Sequence, residues 1–246
     1  MIRRLVTRWW GILLFLLLWQ LWVATSDFNP IVVVSPVSVA RDLVLHAPSY
    51  LLPALWTAGF ALAGLALGMA AGLLLAIACW RSQLLASLLQ PAALLLTATP
   101  VVCLIPLLAR IFGYHAATEL ITVAIMTFFP SFVYAGSGMA QLPRRSAELF
   151  AALGASPTRK LLLLALPSAI PSLAIALRIG TAYSILVTVV AEFLMQTGGL
   201  GDLFATTMEQ FNLHRAFGAS VIAMALSTAL YQAATALEHR LRHHFA

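Results

Sequence analysis

Six long apolar stretches run along this chain, at about residues 9–25, 54–80, 84–109, 117–139, 169–195 and 216–238. An apolar helix needs roughly 17–25 residues to cross the hydrocarbon core of a bilayer, so each stretch predicts a spanning helix. Arg3, Arg4 and Arg8 ahead of the first stretch resemble the basic start of a signal peptide, and Ala24-Thr25-Ser26 imitates a cleavage site. That stretch is read here as the first span. The third carries Pro91, Pro100 and Pro106 together with Thr97 and Thr99, which predicts a kinked or broken helix. Breaks of this kind sit beside transport sites, because freed backbone groups need protein or a cavity around them.

Composition agrees with lipid as the solvent. Apolar residues make up 62% of the 246 residues and charged ones 9%, where a soluble domain averages about 45–50% and about 25%. So few charges cannot cover the surface of a water-soluble fold of this length. Cys79 and Cys103 lie inside apolar stretches without metal-ligand or disulfide spacing, and read as small hydrophobes.

The formal net charge of +6 reads as orientation, not as nucleic-acid binding. With the N-terminus inside, the cytoplasmic side collects Arg3, Arg4, Arg8, Arg81, Arg144, Arg145, Arg159, Lys160, Arg240 and Arg242. The opposite side receives Arg41, Arg110 and Arg215, with Arg178 inside the fifth span. Asp27, Asp42, Glu119, Asp202 and Glu209 fall outside, and Glu148 and Glu238 inside. Six spans with both termini cytoplasmic satisfy the positive-inside rule.

Two segments between spans are informative. Outside, within residues 26–53 and after Asn29-Pro30, Ser35-Pro36 predicts the cap and first turn of an interfacial helix. Inside, residues 140–168 form the longest basic loop. Pro143 closes the preceding segment, Ser146–Leu153 favours helix, and Gly154 suits a sharp helix end. After Ala155, Ser156-Pro157 starts a second helix that Pro167 interrupts near the membrane. Leu149, Phe150 and Leu153 give the first helix an apolar face that nothing in the loop covers, which suits docking into another protein's groove.

Glu148, Gly154 six residues on, and Leu164-Ala165-Leu166-Pro167 together resemble the cytoplasmic loop of binding-protein-dependent ABC importer permeases. That family's pattern is Glu-Ala-Ala, three residues, Gly, nine residues, an aliphatic, one residue, Leu-Pro. Here Leu149 and Phe150 replace the two alanines. Ile105-Pro106-Leu107-Leu108 before Phe112-Gly113, and Phe128-Phe129-Pro130, resemble the family's third and fourth helices. Leu177-Arg178, Ala191-Glu192 and Gly198-Gly199-Leu200-Gly201 resemble its nitrate, sulfonate and taurine branch. That branch usually has Ser-x-x-Arg early in the second helix, whereas Leu55-Trp56-Thr57-Ala58 carries no arginine.

The resemblance implies an all-α type I ABC importer permease, one domain over residues 1–246, in a bacterial inner membrane. It implies a cytoplasmic ATPase dimer that docks on Glu148, Leu149, Phe150, Leu153, Gly154, Ala155 and Pro167, and an extracytoplasmic solute-binding protein that docks outside. The chain has no Gly-x-x-x-x-Gly-Lys-Ser/Thr phosphate cradle, and Lys160 is its one lysine, so ATP binds the partner and this subunit needs no cofactor. One loop per chain against two ATPase grooves suggests a homodimer. The implied cargo is a small solute such as a sulfonate, taurine, nitrate or a vitamin precursor.

Arg178, Thr181, Ile185, Thr188 and Glu192 follow helical steps of three and four, with Ser184 at the border. This stripe is read either as the lining of a translocation path, with Arg178 toward the inner end, or as polar packing between helices. Thr127, Ser131 and Tyr134 form a weaker stripe of the same kind. The six histidines read as solvated or interfacial. A self-contained channel or secondary transporter, gated by an Arg178–Glu192 ion pair, is the alternative function. A membrane enzyme is disfavoured, because no reactive cluster is visible.

Overall fold

The apolar stretches fold as helices in the computed structural model, which describes residues 2–26, 33–97, 100–142 and 144–245. No strand occurs among these residues. Asn29-Pro30, Thr99 and Pro143 lie outside the described residues. The helices are α1 (Ile2–Thr25), α2 (Pro36–Leu45), α3 (Ala47–Arg81), α4 (Gln83–Thr97), α5 (Val101–Phe112) and α6 (Ala116–Ala140). They continue as α7 (Arg144–Ala152), α8 (Pro157–Lys160), a π-turn (Leu161–Ala165), α9 (Leu166–Met195), α10 (Gly199–Glu209) and α11 (Leu213–Phe245).

Four of these helical stretches are long and apolar enough to cross a membrane: Ala47–Arg81, Ala116–Ala140, Pro157–Met195 and Leu213–Leu241. Trp10–Thr25 of α1 and Val101–Phe112 are shorter apolar stretches. The expected break in the third span falls at Pro100, whose ψ of 125° is extended, and it leaves α4 and α5 with 15 and 12 residues. Gly113, at φ 96°, ends α5 in a conformation that favours glycine.

Pro167 does not interrupt its helix, contrary to expectation. The helix runs continuously from Pro157 to Met195. The wider π-turn at Leu161–Ala165 lies immediately before the proline, where an ordinary turn would press a carbonyl against its ring.

The tightest helix contact is between α3 and α6. Gly64, Gly68 and Gly72 repeat every fourth residue and put one bare face of α3 against α6. A Cβ on Gly68 would lie 2.5 Å from the Ala124 carbonyl, and one on Gly72 2.6 Å from the Phe128 carbonyl. The Thr127 hydroxyl donates to the Gly64 carbonyl (3.2 Å) and the Ser131 hydroxyl to the Met69 carbonyl (3.0 Å). Close backbones with hydroxyl cross-links are how helices associate where lipid removes the hydrophobic drive. Thr127 and Ser131 are therefore buried packing residues in this protomer.

Helix α2 starts as predicted: the Ser38 N–H donates to Ser35 Oγ at 3.2 Å, and Pro36 occupies the first turn. Asp42 fastens it. Its carboxyl accepts from the Tyr50 hydroxyl (2.5 Å) and lies 2.8 Å from His46 Nδ1 and 3.9 Å from Arg215 Nε. His214 Nδ1 lies 3.1 Å from Ser38 Oγ, and the Thr118 N–H donates to His115 Nδ1 at 3.3 Å. These histidines thus hold helix ends together and are not simply solvated. Asp42→Ala is expected to free α2, because it leaves the buried Tyr50 hydroxyl only the long contact to the Arg215 carbonyl (3.4 Å), at a cost of about 1 kcal/mol. Limited proteolysis should then cut residues 33–46 faster than in the wild type.

Candidate functional site

Helix α7 ends in a tight turn. The Ala155 N–H donates to the Phe150 carbonyl at 3.0 Å, with Gly154 between them at φ +61°. This is the Schellman geometry, in which the left-handed residue costs nothing only when it is glycine. Ser156 then caps α8 by accepting from the Arg159 N–H at 3.4 Å. Leu149 is 57% exposed and Leu153 72%, Phe150 is half-buried, and Glu148 is exposed. Two large aliphatic side chains therefore stand uncovered on a helix fixed by its own glycine turn. Arg81 supports this end, donating from Nη2 to the Thr158 hydroxyl at 2.7 Å.

The other end of the long helix carries a second constellation, around Glu192. Its carboxyl is fully buried and lies 2.8 and 2.9 Å from the Thr57 hydroxyl of α3, which donates to it. The Gly201 N–H donates to Glu192 Oε2 at 2.9 Å, and the Leu200 N–H donates to Thr57 Oγ1 at 2.9 Å. Glu192 and Thr57 together satisfy two of the free N–H groups of the first turn of α10, where the helix dipole also favours an acceptor.

The chain reaches this position through Gln196, Gly198 and Gly199, all with positive φ. A Cβ on Gly199 would lie 2.0 Å from Glu192 Oε1, and one on Gly201 2.1 Å from the Val189 carbonyl. The glycine cluster is thus a fitted clasp and not a flexible turn. From α6, buried Glu119 accepts from the Thr197 hydroxyl at 2.6 Å and ties the same segment to a third helix. Sequence reasoning missed Thr57, Glu119 and Thr197. The spacing of Glu192 before Gly199 and Gly201 was the available signal, whereas nothing in the local sequence marks Thr57.

Other members of the α9 stripe are enclosed too. Thr181, Ser184 and Thr188 are buried, and the first two donate back to the carbonyls of Arg178 (2.8 Å) and Thr181 (3.0 Å). Arg178 Nε lies 3.1 Å from Glu238 Oε2 of α11, with the guanidinium 5.9 Å above the Tyr231 ring. Arg178 and Glu192 do not pair. They are 14 residues apart on one helix, a separation of about 21 Å along the axis, and each has its own partners. No group of three or more metal-ligating side chains occurs among the described residues.

Residues 64–243 match the family model of the binding-protein-dependent transport system inner membrane component. The chain belongs to this family. It is therefore a permease subunit of an ABC importer, a multi-pass inner-membrane protein, and not an enzyme. A probable ABC transporter permease protein of Haemophilus influenzae is 29% identical over 92% of both chains. The formylaminopyrimidine transport permease protein ThiX of Halalkalibacterium halodurans is 28% identical over 81% of both. The putative aliphatic sulfonates transport permease protein SsuC of Bacillus subtilis is 23% identical over 65% of this chain and 58% of its own. In fold, a chain of the MetNI methionine ABC transporter in inward-facing conformations superposes with a TM-score of 0.67 at 16% identity, covering 79% of this chain and 98% of that one.

Proposed function

We propose that this permease is driven by a separate ATPase that seats on α7, and that α7 therefore marks the cytoplasmic face. The observation that carries this is the pair of uncovered side chains, Leu149 and Leu153, on a helix whose end is set by Gly154. An amphipathic helix with an unpartnered apolar face suits a groove in a second protein. Glu148, Phe150, Ala155 and Pro167 shape the same surface or the helix leaving it.

On this reading both termini are cytoplasmic, two copies of the chain meet two ATPase subunits, and ATP is bound only by those subunits. A solute-binding protein docks at the opposite face, where α2 and α10 lie. The cargo is a small solute of the kind for which the relatives are named, such as an aliphatic sulfonate or a formylaminopyrimidine. Of the α9 stripe, Arg178 is the member placed to border the path, its side chain being 31% exposed. Thr181, Ser184 and Thr188 are buried within the protomer, and Glu192 ties α9 to α3 and α10.

The test is co-purification from solubilised native membranes, comparing the wild type with a Leu149→Glu, Leu153→Glu double variant. The wild type is expected to bring down an ATPase, and the variant to lose it while remaining in the membrane. Retention by the variant would remove α7 from the contact. If the wild type brings down no ATPase while its own dimer survives, the proposal of a separate motor fails.

A further inference from the structure

At the end of the molecule that carries α10, a cavity of about 330 Å³ opens between the start of α3 and the clasp. Leu52, Pro53 and Trp56 of α3 line it together with Gly198, Asp202 and Leu203 of the clasp and α10. We propose that this cavity is a socket for a basic side chain, a lysine or arginine, of the extracytoplasmic binding protein. The inference rests on the importer reading above and adds the chemistry of one contact to it.

Three observations converge on a cation. Asp202 is half-buried in the socket, and among the described residues no basic side chain forms an ion pair with it. The Trp56 indole is 40% exposed and lines the same cavity, offering the aromatic face that attracts ammonium and guanidinium groups. The hydroxyls beside them are already committed, Thr197 to Glu119 and Thr206 to the Asp202 carbonyl (2.9 Å). Besides the Trp56 indole N–H, the socket offers a carboxylate and an aromatic ring, and the carboxylate repels sulfonate or nitrate and accepts a positive head.

The apolar lining of Leu52, Pro53 and Leu203 suits the hydrocarbon stem of such a side chain. Exposed apolar side chains at this end of the chain, Leu52 and Phe211 among them, supply the kind of surface that surrounds an interface anchor. The clasp side of the cavity is also rigid. Gly198 lies in ordinary contact range of Trp56, and Gly199 packs so tightly on Glu192 that a Cβ there would lie 2.0 Å from Oε1. A preformed site of this sort loses little entropy when it is filled.

The experiment uses the full chain with its ATPase in lipid nanodiscs, and as probe the binding protein encoded with the permease. A photoreactive benzoylphenylalanine at Leu203 should cross-link to that protein at a segment carrying Lys or Arg. Asp202→Asn and Trp56→Ala should each raise the concentration of binding protein needed for half-maximal ATPase stimulation about tenfold, while Asp202→Glu stays near the wild type. Co-purified ATPase reports that each variant is folded. Unchanged stimulation by Asp202→Asn, or a cross-link only to a segment without basic residues, overturns the socket and leaves the importer reading standing. A wild-type complex that no binding protein stimulates overturns the reading and the socket together.

Discussion

Gly68→Ala is expected to destabilise the protein strongly, by about 3 kcal/mol, although it adds a single methyl group to a helix. The new Cβ would lie 2.1 Å from the Thr127 hydroxyl, 2.5 Å from the Ala124 carbonyl and 2.9 Å from the Phe128 nitrogen. Two of these atoms are backbone of α6 and cannot move aside without separating the helices. Separation would also break the Thr127 and Ser131 cross-links to α3. For a chain of this size about 3 kcal/mol corresponds to a melting temperature lower by roughly 6–12 °C, measurable by thermal shift in detergent. Gly59→Ala in the same helix and Gly136→Ala in α6 are the controls, since neither added Cβ meets anything within 4 Å. Both should leave the melting temperature unchanged or raise it slightly, through better helix propensity. Equal losses at all three positions would show that the stripe is not the contact described.

Glu192→Ala should be nearly as damaging, and for a different reason. It removes the acceptor for the Gly201 N–H and the Thr57 hydroxyl, each worth about 1–3 kcal/mol when stranded in a buried site. It also opens a cavity under α10. Glu192→Gln keeps one acceptor oxygen and most of the volume, and turns one of the former acceptors into an NH2 group facing donors. The expected order for melting temperature and for solute uptake is wild type, then Gln, then Ala. Uptake by the Ala variant should fall by at least tenfold, because α10 loses its seat against α3 and α9. If Gln proves no better than Ala, the hydrogen bonds described are not what Glu192 contributes.

Much of this architecture is legible in the sequence because lipid makes helix formation obligatory. Every stretch of about 20 apolar residues must satisfy its backbone internally. Local chemistry was equally readable where one residue type does one job, as at Ser35-Pro36, Ser156-Pro157 and Gly154. The π-turn was not, since a proline in a membrane helix can break it, kink it or be absorbed upstream. That choice depends on neighbouring helices. The sequence reading passed over the Gly64, Gly68 and Gly72 repeat, and its partner face on α6 is set by tertiary packing. At the clasp, Glu192 attracted attention as a charge in an apolar helix, and its sequence neighbours on the stripe suggested a path. Its actual partners come from α3 and from the chain beyond α9, at separations no helical periodicity encodes.

The unbroken helix from Pro157 to Met195 has a mechanical consequence. Its 39 residues make a rod of about 58 Å, with the turn after α7 at one tip and the Glu192 seat of α10 near the other. A tilt of about 10° around one tip would swing the other by about 10 Å, enough to displace a whole helix diameter. The π-turn lies within nine residues of the α7 tip and Pro167 and Pro171 follow it, so twist and bend concentrate at this end, while the helix from Ser172 to Met195 carries no proline. Such a lever works in both directions. Whatever free energy a motor spends moving one tip is felt as a changed affinity at the other, and a load on α10 must bias the motor by the same amount.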